Sequence, residues 1–435
     1  MLLALDVTAS AQDIVNSSPS PVGSGARALG MGSAFIAIAD DATAASWNPG
    51  GLTQLERPEV SLVYSWKLFS EDWRHTQFVH SNDDTQDVDI DDLNYFSVAY
   101  PIPRTFGGRN LVLSLNYQKK LDFDRQLDFA ARDAFSLGAA GSAIRRIFVD
   151  YAQEGGLATL SPAIGFEITN KLSVGITAHI WDSDIVPNNE WKTRNHFKLF
   201  TGGNGSGPPS IFSGTLGKGE FVENFSDYSA INFTIGALYK PNERGSVGVV
   251  YHSHYDAEVD YEKRTRTQFG VIPIPPVRIE HQRLKFEWPS ATGVGVAYRF
   301  PNDKLTLSFD VTRREWDNFV KRENRLAPFP ALVGGALPPA ISVPGFLNSR
   351  RVSPITNLPL RLSPHDPTWS VRFGGEYVFV DEKKPIQNYL PSIRAGLFYD
   401  PEPASGAEDR FLLPPKRTGD PDDYYGVALG AGMLI

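Results

Sequence analysis

From about Glu59 onward the chain alternates apolar and polar residues at every second position, and this limits what it can fold into. Leu111, Leu113, Leu115 and Tyr117 share one phase, while Val112, Ser114, Asn116 and Gln118 share the other. Ile231, Phe233, Ile235, Ala237 and Tyr239 alternate with Asn232, Thr234, Gly236 and Leu238. The runs 305–312 and 369–379 repeat the pattern, with Phe309 and Val311 against Asp310 and Thr312, and Phe373 and Tyr377 against Arg372 and Glu376. Successive strand side chains point to opposite faces, so each run needs one apolar and one polar surrounding. Weaker versions mark 58–66, 93–101, 158–168, 172–181, 246–256, 292–300, 391–399 and 424–435. The total is about twelve strands, most near the roughly ten residues that a tilted membrane strand requires.

The connections follow a second rule. Short ones (101–108, 169–171, 241–245, 301–303, 381–390) alternate without exception with long ones (67–92, 119–157, 182–228, 257–291, 313–368, 400–423). A β-sandwich or propeller has no reason to keep this parity. An outer-membrane barrel does, with tight periplasmic turns and long extracellular loops. The expected fold is therefore all-β, a transmembrane antiparallel β-barrel. No run approaches the roughly 18 apolar residues of a spanning helix, and mean hydropathy is −0.24. Trp66, Trp181, Trp288, Trp316 and Trp369 fall at or near strand ends, where amphipathic rings favour the membrane interface.

Several functions are disfavoured. The 42 basic residues are scattered among 50 acidic ones, for a net charge of −8, which argues against a nucleic-acid partner. The absence of cysteine removes disulfide scaffolds, thiolate metal sites and Cys nucleophiles. No G-x-S-x-G, H-E-x-x-H or hydrolase triad is present, so no enzyme is expected. Gly23-Ser-Gly25-Ala-Arg-Ala28 loosely fits a dinucleotide fingerprint, but Ser17 to Pro21 precedes it instead of a strand, and no cofactor is expected. His252 and His254 share a strand face; a polar lumen stripe is the preferred reading over a metal site.

Residues 1–11 read as the remnant of a signal peptide, with Ala9-x-Ala11 as a cleavage-like pair. Residues 12–57 do not alternate and are rich in Gly, Ala and Ser. Small side chains let a backbone approach a wall closely, which suits a hatch or plug in the lumen of a barrel at 58–435.

One run points to a family. Gly25 to Leu52, GARALGMGSAFIAIADDATAASWNPGGL, resembles the N-terminal signature of the FadL/TodX family, and the likeness continues to Val60. Weaker echoes follow in family order at Trp288–Tyr298, Pro367–Tyr377 and Arg394–Pro401. The resemblance implies a monomeric fourteen-stranded barrel with an N-terminal hatch. It also implies passive outer-membrane transport of long-chain fatty acids or aromatic hydrocarbons. The family's Asn-Pro-Ala tripeptide corresponds to Asn48-Pro49-Gly50, where Asn48 can offer its amide to a ligand and Pro49 fixes the backbone. The chain stops inside a strand, at Gly430 to Ile435, so a final hairpin is expected beyond it. The family's sideways exit at a kinked third strand has no signal here, because 111–118 contains neither Gly nor Pro.

Arg299, Arg372 and Arg394 fall on the polar phase of their strands, and a lumen guanidinium can hold a carboxylate with two bonds. Arg372 and Arg394 are the candidate ligand contacts; pairing with Glu376 or Asp310 is the alternative. The expected partners are hydrophobic small molecules and outer-membrane lipid. The competing function is docking in protein secretion, as in PorV-like barrels, which share a Gly/Ala-rich start and an Asn-Pro motif.

Overall fold

The computed structural model describes residues 20–21, 23–72, 85–102, 108–136, 142–187, 189–203, 214–269, 272–273, 278–326, 347–355, 359–361, 364–380, 389–403, 408–409, 416–417 and 423–434. The expected signal-peptide remnant lies outside these residues.

Twelve antiparallel strands form a continuous wall. In order they are Glu59–Asp72, Thr85–Pro101, Leu111–Asp122, Ser142–Thr169, Leu172–Ile180, Ile231–Tyr239, Gly245–His252, Ala291–Arg299, Leu305–Arg314, Thr368–Val378, Leu390–Pro401 and Asp423–Leu434. Each pairs with the next. The first and the last are the edges of the wall among the described residues. No described helix is long and apolar enough to cross a membrane, which says nothing against strands doing so.

The alternation has its expected meaning. Leu113 is 45% exposed and Ser114 only 6%. Ile231, Phe233, Ile235, Phe309, Phe373 and Tyr377 likewise lie on the exposed face, and Asn232, Thr234, Asp310 and Glu376 are buried behind them. An apolar outside and a polar inside fit a wall with lipid around it.

The sheet curls around the N-terminal segment. Ala42 O accepts from Tyr95 Oη and Ser97 Oγ of the second strand, each at 3.0 Å. Twelve residues earlier, Gly30 lies against Gly430 of the last strand. So short a segment reaches both only if the wall bends round it. Its own apolar side chains, including Met31, Phe35, Ile38 and Leu52, close on Ala99, Val112 and Ala163.

The long connections are richer in structure than their sequence suggests. They carry the strands Arg125–Ser136, Glu190–Gly203, Gly214–Ser229, Tyr255–Phe269, Arg278–Trp288, Val320–Leu326 and Leu347–Val352. Together with the first half of Ser142–Thr169 these pair in series into an outer sheet above the wall. Ser142–Thr169 runs through both, so wall and outer sheet are parts of one hydrogen-bonded sheet. Its 28 residues rise about 90 Å in all and are nearly three times the roughly ten that a bilayer crossing needs. It changes partner at Gly155, paired to Trp191, and Gly156, paired to Asp122. Gly155 has φ +121° there, a conformation that side-chain-bearing residues avoid.

The interface expectation for tryptophan holds in part. Trp66, at 71%, and Trp369 are exposed on the outer face. Trp181, at 4%, and Trp288 instead point inward, and Trp316 packs against them. They sit where wall meets outer sheet. The rings stack on one another, Trp181 on Tyr255 at 5.7 Å and Tyr255 on Trp288 at 5.9 Å.

Candidate functional site

The N-terminal segment is seated on glycines. A Cβ added at Gly374 or Gly396 would overlap Met31 or Gly32, one at Gly248 would overlap Ile36 O, and one at Gly175 would overlap Pro49. Glycine inside a strand marks close backbone approach, and here the approaching backbone is the hatch-like segment. Wall hydroxyls then satisfy its carbonyls: Ser173 Oγ donates to Gly50 O, Thr177 Oγ1 to Ala45 O and Ser246 Oγ to Ala37 O, each at 2.7 Å.

Asn48 is completely buried and committed to this seat. Its Nδ2 donates to Ile36 O at 2.8 Å and Ala237 O at 3.0 Å, and its Oδ1 accepts from Gly50 N at 3.1 Å. Pro49 opens the 3-10 turn Pro49–Gln54, which lies against the fifth and sixth wall strands at Gly175 and Gly236. Both amide hydrogens of Asn48 are thus in use, and the tripeptide fastens the segment to the wall.

Arg372 and Arg394 lie on the tenth and eleventh wall strands, away from the tripeptide on the fifth and sixth. Arg372 Nη2 holds Asp400 through bonds of 2.9 and 2.7 Å. Arg394 Nε donates to Glu376 Oε1 at 2.7 Å, and the same carboxylate binds Arg27 of the N-terminal segment. Arg27 also pairs with Asp40. A ligand carboxylate at Arg372 or Arg394 would therefore have to displace an existing partner.

Two lumen cations that the strand phase did not single out are less committed. Lys120 is the extra residue in the third strand, where the register to the fourth shifts between Lys119 and Leu121. Bulges re-aim side chains in this way. Arg314 ends the ninth strand on the same phase as Asp310 and Thr312, directly opposite Ala291. Lys120 and Arg314 lie within electrostatic range of each other, and Arg314 also of Arg372 and Asp400. Among the described residues no carboxylate lies within ion-pair distance of either. Arg314 sits 5.3 Å from the Trp316 ring centre, at the border of the aromatic cluster. Extending the phase argument that picked Arg372 would have found Arg314; nothing in the sequence announces the bulge at Lys120.

His252 faces the lumen, while His254 lies 3.6 Å from Asp256 beyond the end of its strand. Among the described residues no group of three potential metal ligands gathers.

The third strand also leaves its neighbour. Pairing with the second strand ends at Tyr95 and Gln118, and Leu121 and Asp122 pair instead with Pro21 and Ser20. The wall is parted there and the gap holds N-terminal residues. The bulge at Lys120 falls at the same place, and no Gly or Pro marks it in the sequence.

A family model described as outer membrane protein transport protein (OMPP1/FadL/TodX) matches residues 151–417, more than half of the 435. The chain belongs to this family. Its members are outer-membrane transport proteins, not enzymes. The fold agrees with the crystal structure of a Pseudomonas aeruginosa FadL homologue, with 13% identity, a TM-score of 0.52, and coverage of 96% of this chain and 87% of that one. The Pseudomonas putida toluene transporter TodX aligns over 94% of this chain and 90% of its own, with 14% identity and a TM-score of 0.43. No curated protein matches in sequence.

Proposed function

We propose that this protein lets a hydrophobic compound with an anionic head group diffuse passively through the outer membrane, with the N-terminal segment as its hatch. The observation that carries this is the pair of cations Lys120 and Arg314, within electrostatic range of each other beside the aromatic cluster, with no carboxylate at ion-pair distance among the described residues and Asp400 acting on Arg314 only at longer range. Cations held away from bulk water favour an incoming carboxylate, and charge-assisted bonds to it are strong. The rings of Trp181, Tyr255, Trp288 and Trp316 give the tail an apolar path. A long-chain fatty acid supplies both parts, whereas an aromatic hydrocarbon uses only the second.

In this reading the long-loop end collects the compound, and the rings pass it to the cations. Arg372 and Arg394 receive the head group when it displaces Asp400 or Glu376. Displacing Glu376 also frees Arg27, so the hatch shifts as the ligand arrives. The parted seam beside Lys119 offers a way out toward lipid. Affinity is moderate, because a conduit that binds too tightly does not release.

Uptake tests this reading. The full-length protein should restore growth on a long-chain fatty acid to a strain lacking its own transporter, and mass spectrometry should find such acids in the purified protein. Failure to restore uptake of any long-chain acid or hydrocarbon, together with a stoichiometric protein partner, would favour docking instead.

A further inference from the structure

Five side chains on four neighbouring wall strands form one hydrogen-bonded row along the lumen face. Thr159 Oγ1 lies 2.9 Å from Ser161 Oγ, which lies 2.9 Å from His179 Nδ1. His179 Nε2 lies 2.8 Å from Thr234 Oγ1, which lies 2.9 Å from His252 Nδ1. Thr159, Ser161, His179 and Thr234 are buried, and His252 at the end is half-buried.

The row has a direction. Each hydroxyl carries one hydrogen and each neutral imidazole one N–H, so the hydrogens can run toward His252 or away from it. If they run away, Ser161 donates to Thr159, and the buried Thr159 hydroxyl hydrogen needs an acceptor of its own. Among the described residues it has none. Buried donors without acceptors are penalised and rare. If they run toward His252, every hydrogen in the row is used: Thr159 donates to Ser161, Ser161 to His179 Nδ1, His179 Nε2 to Thr234, and Thr234 to His252 Nδ1. The one N–H left over is His252 Nε2–H. Protonating His252 would place a second hydrogen against Thr234, which would then have no acceptor for its own, so the row also opposes a charged His252.

His252 lies within electrostatic range of both Arg314 and Lys120. We propose that His252 presents Nε2–H as a fixed, uncharged donor to the oxygen atoms of the ligand head group, and that Ser161, His179 and Thr234 are positioning residues that set its tautomer. This deepens the anionic-ligand reading and rests on it for the place of the head group. The cations attract charge from any direction, whereas His252 asks for an acceptor oxygen at one position. It therefore selects oxygen-headed ligands, esters included, over plain hydrocarbons.

The test uses the full chain in nanodiscs with 15N-labelled histidine, and dodecanoic acid, methyl dodecanoate and dodecane as probes. The ring shifts of His252 should report a neutral Nε2–H tautomer, and Ser161→Ala, three residues back along the row, should yield a mixture. His252→Leu should weaken the acid and the ester about tenfold and leave dodecane unchanged, and His252→Gln, which keeps a donor, should recover most of the loss. Lys120→Met and Arg314→Met should weaken the acid alone. An Nδ1–H tautomer, or equal losses for all three probes in His252→Leu, overturns the proposal. Loss of acid binding in Lys120→Met with none in His252→Leu also overturns it and leaves the anionic reading standing. The reverse result, with His252→Leu weakening acid and ester while neither cation variant matters, supports the donor role and removes the anionic reading.

Discussion

Arg27 and Glu376, 349 positions apart, form a two-pronged ion pair, with Nη2 to Oε2 at 2.7 Å and Nε to Oε1 at 3.1 Å. Arg394 Nε takes the same carboxylate at 2.7 Å. One anion thus joins the N-terminal segment to the tenth and eleventh wall strands. Glu376→Gln leaves the two guanidinium groups facing each other without it. Removing one member of a buried ionic group costs about 3 kcal/mol, so amide exchange across Ala26–Gly30 should quicken by roughly a hundredfold. Unchanged protection by hydrogen-exchange mass spectrometry would show that the latch lies elsewhere.

Gly236→Ala should unseat Asn48. The new methyl group would overlap Asn48 Oδ1 and approach Pro49 Cδ at 2.8 Å, so the bonds to Ile36 and Ala237 cannot survive unmoved. Gly245→Ala is the control, because its nearest neighbour is 3.5 Å away. Protease should cut the N-terminal segment in folded Gly236→Ala and not in Gly245→Ala.

The register makes a separate prediction. A spin label at Leu113 should contact lipid-soluble oxygen, and one at Asn116 should not, because Leu113 is on the exposed face and Asn116 is buried. Water contact at Leu113 would reverse the wall.

Trp191 stacks on Phe225 at 4.3 Å in the cluster where the outer sheet meets the wall. Trp191→Ala should destabilise that junction by about 3–5 kcal/mol. Exchange should then rise across Glu190–Gly203 and Gly214–Ser229 while the fifth and sixth wall strands keep their protection. A uniform rise would mean that the two parts of the sheet unfold as one.

In the outer sheet His196 Nε2 lies 2.9 Å from Glu220. This hydrogen bond holds the Glu220 carboxyl below its ordinary range. A depressed carboxyl stabilises the fold above its unfolded value, and the contribution fades as pH falls through the folded one. His196→Ala should therefore move the Glu220 titration upward, toward an ordinary glutamate. A carbon-detected NMR titration reads this, and an unmoved midpoint would rule the bond out.

The wall was legible because each strand has two unlike environments. Ile231–Tyr239 follows its alternation residue for residue, with Phe233 outside and Thr234 inside. The outer sheet was not legible. In Tyr255–Phe269 the polar residues Glu258, Asp260, Glu262 and Arg264 face water, and Glu258 forms an ion pair with Arg283 of the neighbouring strand at 2.9 Å. Such strands read as charged loops. The glycines at 175, 236 and 374 carried a signal for the seat, since strand interiors disfavour glycine, but the sequence does not say which backbone approaches them. Arg372 and Arg394 were recognisable as lumen groups from their phase. Their partners Asp400 and Glu376 depend on register between strands, and the bulge that re-aims Lys120 depends on pairing alone.

The strand Ser142–Thr169 acts as a lever. Its upper arm carries Tyr151 beside the strand Glu190–Gly203, and its lower arm carries Ser161 in the row that ends at His252. Gly155, where the chain takes its positive φ, is the fulcrum. A force on the outer sheet reaches Ser161 along an unbroken backbone unless bending at that one residue absorbs it.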